Sequence, residues 1–197
     1  MKIRSILPFA LVAVLSTLNS NAGITGVSYW YDGDGAMVCP VYTWDGSDTV
    51  NIVGDQYWGP GHVLGDVTAD GDPNLVLANS INNSTGFSWT GYIVDIWMSQ
   101  PFTISNPLVT IPGDWTINPY NANGVWNGSV YAAQLTFSAG TPVAPGQTLS
   151  FLYTLSFNGS VSFTEQLTPV PEPGSLGLLL CGGLLLGGFK FARRRLS

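Results

Sequence analysis

The residues best suited to nucleophilic chemistry are one histidine and one cysteine in the central part of the chain. His62 is the only histidine, and Cys39 is the only cysteine before the apolar C-terminal tail. A cysteine attacks as a thiolate, which a neighbouring histidine can stabilise. Cys39 lies in an apolar Met-Val-Cys-Pro run, and His62 lies between Gly61 and Val63, so neither has an evident activating partner. We therefore expect a buried structural thiol, a loop histidine and no enzymatic activity.

Carboxylates offer a second kind of chemistry, since a glycosidase needs two of them at a fixed separation. The chain has ten aspartates, which would allow such a pair. Most of them stand beside glycine, however, where aspartate commonly forms a turn. Turn residues are the expected role of most of these carboxylates.

One aspartate-rich segment, residues 66–75, has the spacing of a calcium-binding loop. With Asp66 as the first position, side-chain oxygens fall at the first, third, fifth and ninth positions, and a glycine falls at the sixth, as in an EF-hand loop. The candidate ligands are Asp66, Thr68, Asp70, Asp72 through its carbonyl, and Asn74. The twelfth position is Leu77, where an EF-hand has a bidentate glutamate. The segment therefore predicts either a weak calcium site or a solvated aspartate-glycine turn.

The charge distribution excludes one class of partner. All six basic residues lie at the termini, and no lysine or arginine occurs between Ser5 and Phe189. Binding to nucleic acid requires clustered cations that neutralise phosphates. We therefore predict that this protein does not bind nucleic acid.

The chain is rich in aromatic residues, including the tryptophans Trp30, Trp44, Trp58, Trp89, Trp97, Trp115 and Trp126. Most should be buried, because each ring removes a large apolar area from water. In the run Tyr29-Trp30-Tyr31, however, neighbours on a strand must point to opposite faces, so at least one ring should face outward. Exposed rings on a sheet could stack on the pyranose rings of a polysaccharide.

The N-terminus reads as a secretory signal peptide over residues 1–22. Lys2 and Arg4 precede an apolar stretch, residues 6–18, and small residues precede Gly23. Signal peptidase is expected to cleave between Ala22 and Gly23. The remainder of the chain is then exported.

The C-terminus reads as a membrane segment over residues 174–192. Its nineteen residues are close to the ~20 needed to cross a bilayer, and basic residues follow at 193–195. Arginines stay on the cytoplasmic side, which places the preceding chain outside the inner membrane. This orientation agrees with the signal peptide.

The sequence Pro171-Glu172-Pro173, followed by a Gly- and Leu-rich span and the cluster Arg193, Arg194, Arg195, resembles the PEP-CTERM sorting tail of Gram-negative bacteria. This tail is also labelled the ice-binding protein C-terminal domain, a name that concerns the tail only. The resemblance implies that a membrane protease, exosortase, recognises Pro171, Glu172 and Pro173 and cleaves nearby, while the arginines act as a stop signal. The product is then released to the matrix or re-anchored at the cell surface. A plain single-pass anchor and a GPI signal are the alternatives; a GPI signal does not normally end in arginines.

The segment between these ends is predicted to be an all-β sandwich, immunoglobulin-like or jelly-roll-like. Short β-branched and aromatic runs alternate with Gly, Pro, Asn and Ser, and no amphipathic helix is evident. The predicted strands are 25–31, 37–44, 49–53, 74–78, 87–98, 102–105, 114–117, 129–138, 148–157 and 160–166. The last two are predicted to form a hairpin that pairs Leu155 with Val161 and Tyr153 with Phe163.

These patterns divide the chain into a signal peptide (1–22), an acidic β-sandwich ectodomain (23–168), a Pro-Glu-Pro motif (169–173), a membrane segment (174–192) and a basic cytoplasmic end (193–197). The predicted function is an exported structural protein of the cell surface or the exopolysaccharide matrix, processed by signal peptidase and exosortase. It passes through a transient inner-membrane stage before reaching the outer surface or the matrix. The alternative function is a polysaccharide-binding module, stabilised by calcium if the aspartate-rich segment binds it.

Overall fold

A computed structural model describes residues 23–33 and 35–174. The predicted signal peptide, nearly all of the predicted membrane segment, and Arg193, Arg194 and Arg195 lie outside these residues. The described part is built from strands, with no helix among its residues from 24 to 168, as predicted. The strands are β1 (Ile24–Tyr31), β2 (Met37–Trp44), β3 (Thr49–Gln56), β4 (Gly61–Ala69), β5 (Asn74–Asn83), β6 (Trp89–Met98), β7 (Thr103–Ile111), β8 (Thr116–Ile117), β9 (Val125–Trp126), β10 (Tyr131–Val143), β11 (Thr148–Ser156) and β12 (Val161–Pro171).

The strands form two sheets that face each other as a sandwich. The larger sheet has the order β1-β4-β12-β6-β10-β8, and β9 also pairs with β10. The smaller sheet has the order β2-β3-β5-β11-β7. Every recorded strand pair is antiparallel except β3 with β5. The all-β sandwich predicted from composition and punctuation is confirmed.

The core lies between the sheets and is dominated by aromatic rings. Trp89, Tyr92, Phe137, Phe151 and Tyr153 are fully buried or nearly so. Phe137 and Phe151 pack at a tilted angle with ring centroids 5.0 Å apart, as do Trp89 and Tyr92 at 5.4 Å, whereas Phe151 and Tyr153 are stacked. Each such ring removes roughly 150–250 Å² from water. Since the chain before the tail has one cysteine, this packing must hold the fold without an internal disulfide.

Strand β4 is not among the predicted strands. Its inward residues are small (Gly61, Val63, Gly65, Val67 and Ala69), so the strand lacks large apolar side chains. The small size is required, because a Cβ on Gly65 would lie 2.3 Å from the ring of Phe163. Gly65 is the register partner of both Tyr29 and Phe163, and the two rings lie 6.3 Å apart. Because β4 needs small residues where its neighbours' rings pack, its sequence contains the glycines that are typical of a loop.

The predicted hairpin of the last two strands does not form. Strand β11 pairs with β5 and β7 in the smaller sheet, whereas β12 pairs with β4 and β6 in the larger one. The turn at Asn158-Gly159 therefore carries the chain from one sheet to the other, with Gly159 at φ 62°. Two strands with one apolar face each can bury those faces across the sandwich as well as side by side, and alternation alone does not distinguish the two arrangements.

Candidate functional site

The residues of the predicted calcium loop are not brought together. Asp66 and Thr68 lie on the outward face of β4, and Asp70 follows its end. A strand rises about 3.3 Å per residue, so Asp66 and Asp70 are separated by about 13 Å, whereas calcium ligands lie within about 2.6 Å of the ion. The side chain of Asp72 accepts a hydrogen bond from Asn158, and that of Asn74 accepts one from Ser156.

The aspartate-rich segment is instead a strand followed by a connection between the sheets. Gly71, at φ 77°, accepts a hydrogen bond from the backbone N–H of Gly159, so two sheet-to-sheet turns stack on each other. Within residues 23–33 and 35–174 no group of three or more His, Cys, Asp or Glu side chains could hold a metal ion.

The tryptophans divide between the core and the surface. Trp89 and Trp115 are buried, whereas Trp58 and Trp126 are about half exposed. In the run at 29–31, Tyr29 points into the core with 3% exposure and Trp30 points outward with 42% exposure. The prediction that at least one ring of this run faces outward is confirmed.

Trp30 belongs to a row of outward side chains that crosses the larger sheet. Trp30 pairs with Leu64, Leu64 with Thr164, and Thr164 with Trp97. The row therefore begins on β1, crosses β4 and β12, and ends on β6. Neighbouring strands lie about 4.8 Å apart, so the two tryptophan backbones are separated by about 14 Å.

A surface groove lies between the two tryptophans. It has a volume of about 390 Å³, near the lower end of the ~300–1,000 Å³ typical of ligand sites. Trp30 and Trp97 line its sides, and the middle strands contribute Leu64, Thr164 and the next pair along, Asp66 and Ser162. We call this feature the Trp30–Trp97 groove.

Three polar side chains that β4 and β12 contribute to the groove have no internal hydrogen-bond partner. Asp66 and Ser162 are exposed and Thr164 is partly buried. Among the described residues, none donates to or accepts from the side chains of these three. The groove therefore presents a carboxylate and two hydroxyls between two indole rings.

A second polar row borders the groove. His62 pairs with Gln166 on β12, and Gln166 pairs in turn with Asp95 on β6. His62 Nε2 lies 3.0 Å from Gln166 Oε1, and its Nδ1 lies 3.3 Å from Asp32 Oδ2. Gln134 donates to Asp95 at 2.7 Å. His62 is thus a strand residue with a carboxylate neighbour, contrary to the predicted loop histidine.

Beneath the groove, the core holds a buried carboxyl group. Glu165, between Thr164 and Gln166 on β12, is fully buried, and its Oε2 accepts a hydrogen bond from the Tyr29 hydroxyl. Its Oε1 has no partner within the described part of the chain. Burial raises the pKa of Glu165 to about 7, although the Tyr29 hydrogen bond acts in the opposite direction.

A second buried network lies near this carboxyl. The Tyr92 hydroxyl donates to Gln56 Oε1, and Gln56 Nε2 donates to the carbonyl of Leu167 at 2.8 Å. The pKa values of Tyr29 and Tyr92 are both raised, mainly by burial and also by the negative charge of Glu165. The two hydrogen bonds of Gln56 therefore link β3 of the smaller sheet to β6 and β12 of the larger sheet.

The Pro-Glu-Pro motif begins inside the fold. Strand β12 continues to Pro171, three residues past the predicted end of the ectodomain at 168. Thr90 donates its hydroxyl to the carbonyl of Pro171 at 3.3 Å, and the backbone N–H of Glu172 donates to Ser88 at 3.1 Å. The first two motif residues are therefore docked on the larger sheet, and Pro173 is exposed.

Some residues of the groove could be recognised from the sequence, and others could not. At least one ring of the run 29–31 was expected to face outward, without Trp30 being singled out, and Trp97 was named only among the tryptophans. Asp66 was assigned to a calcium loop, while Ser162 and Thr164 were not considered. Their signal is the alternation of Ser and Thr with Val161 and Phe163, which places them on the outward face.

Comparisons with protein-family models, curated proteins and solved structures found no match to this chain. Among the described residues, no helix has the length and apolar character needed to cross a membrane.

Proposed function

We propose that this protein is an exported protein of the cell surface or extracellular matrix whose β-sandwich binds polysaccharide. One observation carries the binding proposal: Trp30 and Trp97 face outward on one row of a sheet, with unpartnered oxygen atoms between them. Indole rings offer flat apolar faces that match the C–H faces of pyranoses. Carboxylate and hydroxyl oxygens can bond the sugar hydroxyls.

The position of the groove also favours a binding function over a purely structural one. Its aromatic and polar groups are held by strand pairing on both sides of β4 and β12, and rigid elements hold a site more precisely than loops do. The expected activity is non-enzymatic binding.

The destination of the protein is proposed from its two ends. Residues 1–22 serve as the signal peptide, and signal peptidase cleaves before Gly23. The Pro171-Glu172-Pro173 motif, the apolar segment and Arg193, Arg194 and Arg195 serve as an exosortase sorting tail. The membrane contact is then a transient stage on the inner membrane before release or re-anchoring at the surface.

The destination is tested by protease treatment of spheroplasts. An ectodomain outside the inner membrane is degraded, and an intact one argues against the orientation. Glu172→Ala should leave an unprocessed precursor, with Glu165→Gln as a carboxyl control distant from the motif. Normal processing of Glu172→Ala would remove the proposed role of the motif.

The binding proposal is tested with the purified full chain on a glycan array. Trp30→Ala should weaken binding to the recognised glycan at least tenfold, because one of the two stacking surfaces is lost. Trp58→Ala is the matched control, since Trp58 is 52% exposed and does not line the groove. Equal binding by both variants, or no glycan bound at all, would leave the passive structural role.

A further inference from the structure

The electrostatics of the groove restrict the ligands it can accept. Asp66 lies in the groove, and Asp32 and Asp95 lie in the bordering row. The sequence has no lysine or arginine between residues 5 and 189 that could offset these carboxylates. Two like charges at 7 Å repel by about 0.6 kcal/mol in water, and a polymer with a charge on every residue meets this repulsion repeatedly.

The oxygen-rich surface is suited to hydroxyl donors. Asp66 can only accept hydrogen bonds when ionised, whereas Ser162 and Thr164 can both donate and accept. The side chains of Asp66 and Ser162 are register partners, and Thr164 lies one outward position, about 7 Å, further along β12. This arrangement offers both acceptors and donors to the hydroxyls of a neutral sugar chain.

The orientation of the ligand follows from the same residues. The outward side chains of β4 and β12 continue along the strands from Asp66 and Ser162, through Leu64 and Thr164, to the His62–Gln166 pair. Trp30 and Trp97 lie on either side of this line. A chain lying along the two strands therefore contacts both indoles, the Leu64–Thr164 pair between them, and the polar pairs on either side of that pair.

We infer that the Trp30–Trp97 groove binds an uncharged polysaccharide of β-linked pyranoses, lying along β4 and β12, and rejects polyuronates, an assignment that rests on the proposed polysaccharide-binding function. β-Linked pyranoses with equatorial substituents present the flat C–H faces on which indoles stack. The carboxylates then provide both recognition of hydroxyls and exclusion of anionic polymers.

The experiment measures binding of the immobilised full chain to three soluble polymers, at low and at physiological salt. Hydroxyethylcellulose is the neutral probe, polygalacturonate the anionic probe and chitosan the cationic probe. The expected result is salt-independent binding of hydroxyethylcellulose, at least tenfold weaker in Trp97→Ala, with no binding of polygalacturonate. Chitosan should bind in a salt-dependent manner that Trp97→Ala leaves unchanged, since it responds to the net acidity of the whole body.

Two further variants distinguish the loss of a specific contact from misfolding of the variant protein. Trp97→Phe keeps an aromatic face and should retain most of the binding, and Asp66→Asn should admit polygalacturonate at least tenfold better than the parent chain. Binding of polygalacturonate by the parent chain, lost in Trp97→Ala, would overturn the ligand class while leaving the proposed function. If chitosan were the only polymer whose binding depends on Trp97, the proposed ligand class would also be wrong, while the proposed polysaccharide-binding function would stand. If no polymer depends on Trp97 or Trp30, the proposed function itself fails.

Discussion

At the scale of single residues, Glu165 is the side chain whose ionised form is least compatible with its surroundings. It is a fully buried carboxyl whose side chain bonds to Tyr29 and lies near Tyr92, with no lysine or arginine among the described residues. Ionisation in such a site lacks solvation, which is why the pKa of Glu165 rises from 4.5 to about 7. The folded protein therefore retains a proton that the unfolded chain releases.

This difference predicts a stability that falls as the pH rises. Below about 4.5 both states carry the proton, and between 4.5 and 7 only the folded state does, so stability decreases across that window and levels off above it. At 1.36 kcal/mol per pKa unit the loss amounts to roughly 3 kcal/mol. Urea unfolding of the full chain from pH 4.5 to 8 measures it.

The control for this prediction is Glu165→Gln, which keeps the acceptor for Tyr29 and cannot ionise. Its stability should be nearly level between pH 4.5 and 7, whereas Glu172→Gln should behave as the parent chain. Asp45 and Asp114 have lowered pKa values, because Ser47 and Thr141 respectively donate hydrogen bonds to them, so their effect is confined to more acidic solutions. A parent profile that is level from 4.5 to 7 would contradict the assignment to Glu165.

The absence of a side chain at Gly65 is a second residue-scale feature. Gly65→Ala places a Cβ 2.3 Å from the Phe163 ring, which is packed against Tyr29 and has little room to move. We expect a loss of about 1–3 kcal/mol, as for other overpacked cores. Gly86→Ala is the control, because no atom lies within 4 Å of its added Cβ. Equal unfolding midpoints for the two variants would show that the core accommodates the methyl group.

At the scale of elements, the sequence predicted which segments are strands better than it predicted their partners. Met37–Trp44 was located with its observed bounds, since turn residues delimit an alternating run. β4 was missed because its inward positions hold only Gly, Val and Ala, and because Asp66 on its outward face and Asp70 just after its end suggested a loop. Pairing depends on contacts between distant segments, which local alternation does not encode, so β11 and β12 were placed side by side.

The placement of β11 and β12 in different sheets predicts the outcome of cysteine cross-linking. A hairpin would set Thr154 opposite Ser162, whereas in the observed fold these residues belong to sheets on opposite sides of the core. Sheets in a sandwich are about 10 Å apart, beyond the ~7 Å limit between the Cα atoms of a disulfide. Cysteines at Ile93 and Thr168, which are register partners on β6 and β12, should cross-link instead.

The measurement is oxidation of the two double-cysteine variants in a background with Cys39 and Cys181 replaced by serine, read by thiol titration. Rapid loss of thiols for the 93/168 pair and persistence for the 154/162 pair is the expected pattern. Rapid cross-linking of the 154/162 pair and persistence of thiols in the 93/168 pair would instead support the predicted hairpin.

The candidate site shows the same limit of sequence reasoning. Strand alternation predicted at least one outward ring in the run 29–31, but it does not by itself assign that position to Trp30. Trp97 and Thr164 come from segments more than sixty residues away in sequence from Trp30 and meet it only through strand pairing. A surface built across four strands has no contiguous motif.

At the scale of the whole molecule, the dominant property is uncompensated negative charge. The chain has twelve acidic residues, all of them between Asp32 and Glu172, where no lysine or arginine occurs. Repulsion within the body is screened by salt over a Debye length of about 10 Å at 0.1 M. Sodium chloride should therefore raise the Tm at pH 8, by about 2–4 °C for each kcal/mol of repulsion removed.

Potassium chloride at the same ionic strength should give the same shift, because screening does not depend on the identity of the cation. Sucrose is the control for nonspecific stabilisation, since it lacks charge. A Tm that does not change or falls with sodium chloride would mean that the carboxylates are too far apart to repel.

The continuity of β12 with the Pro-Glu-Pro motif has a mechanical consequence. A pull on the chain beyond Pro171 acts along β12, which is hydrogen-bonded on one side to β4 and on the other to β6. Bonds perpendicular to the strands are then strained in shear, and many must break together. Thr164 and Ser162, which line the groove, lie on the same strand. Tension between a C-terminal tether and a polymer held in the groove therefore runs through one strand and its two neighbours.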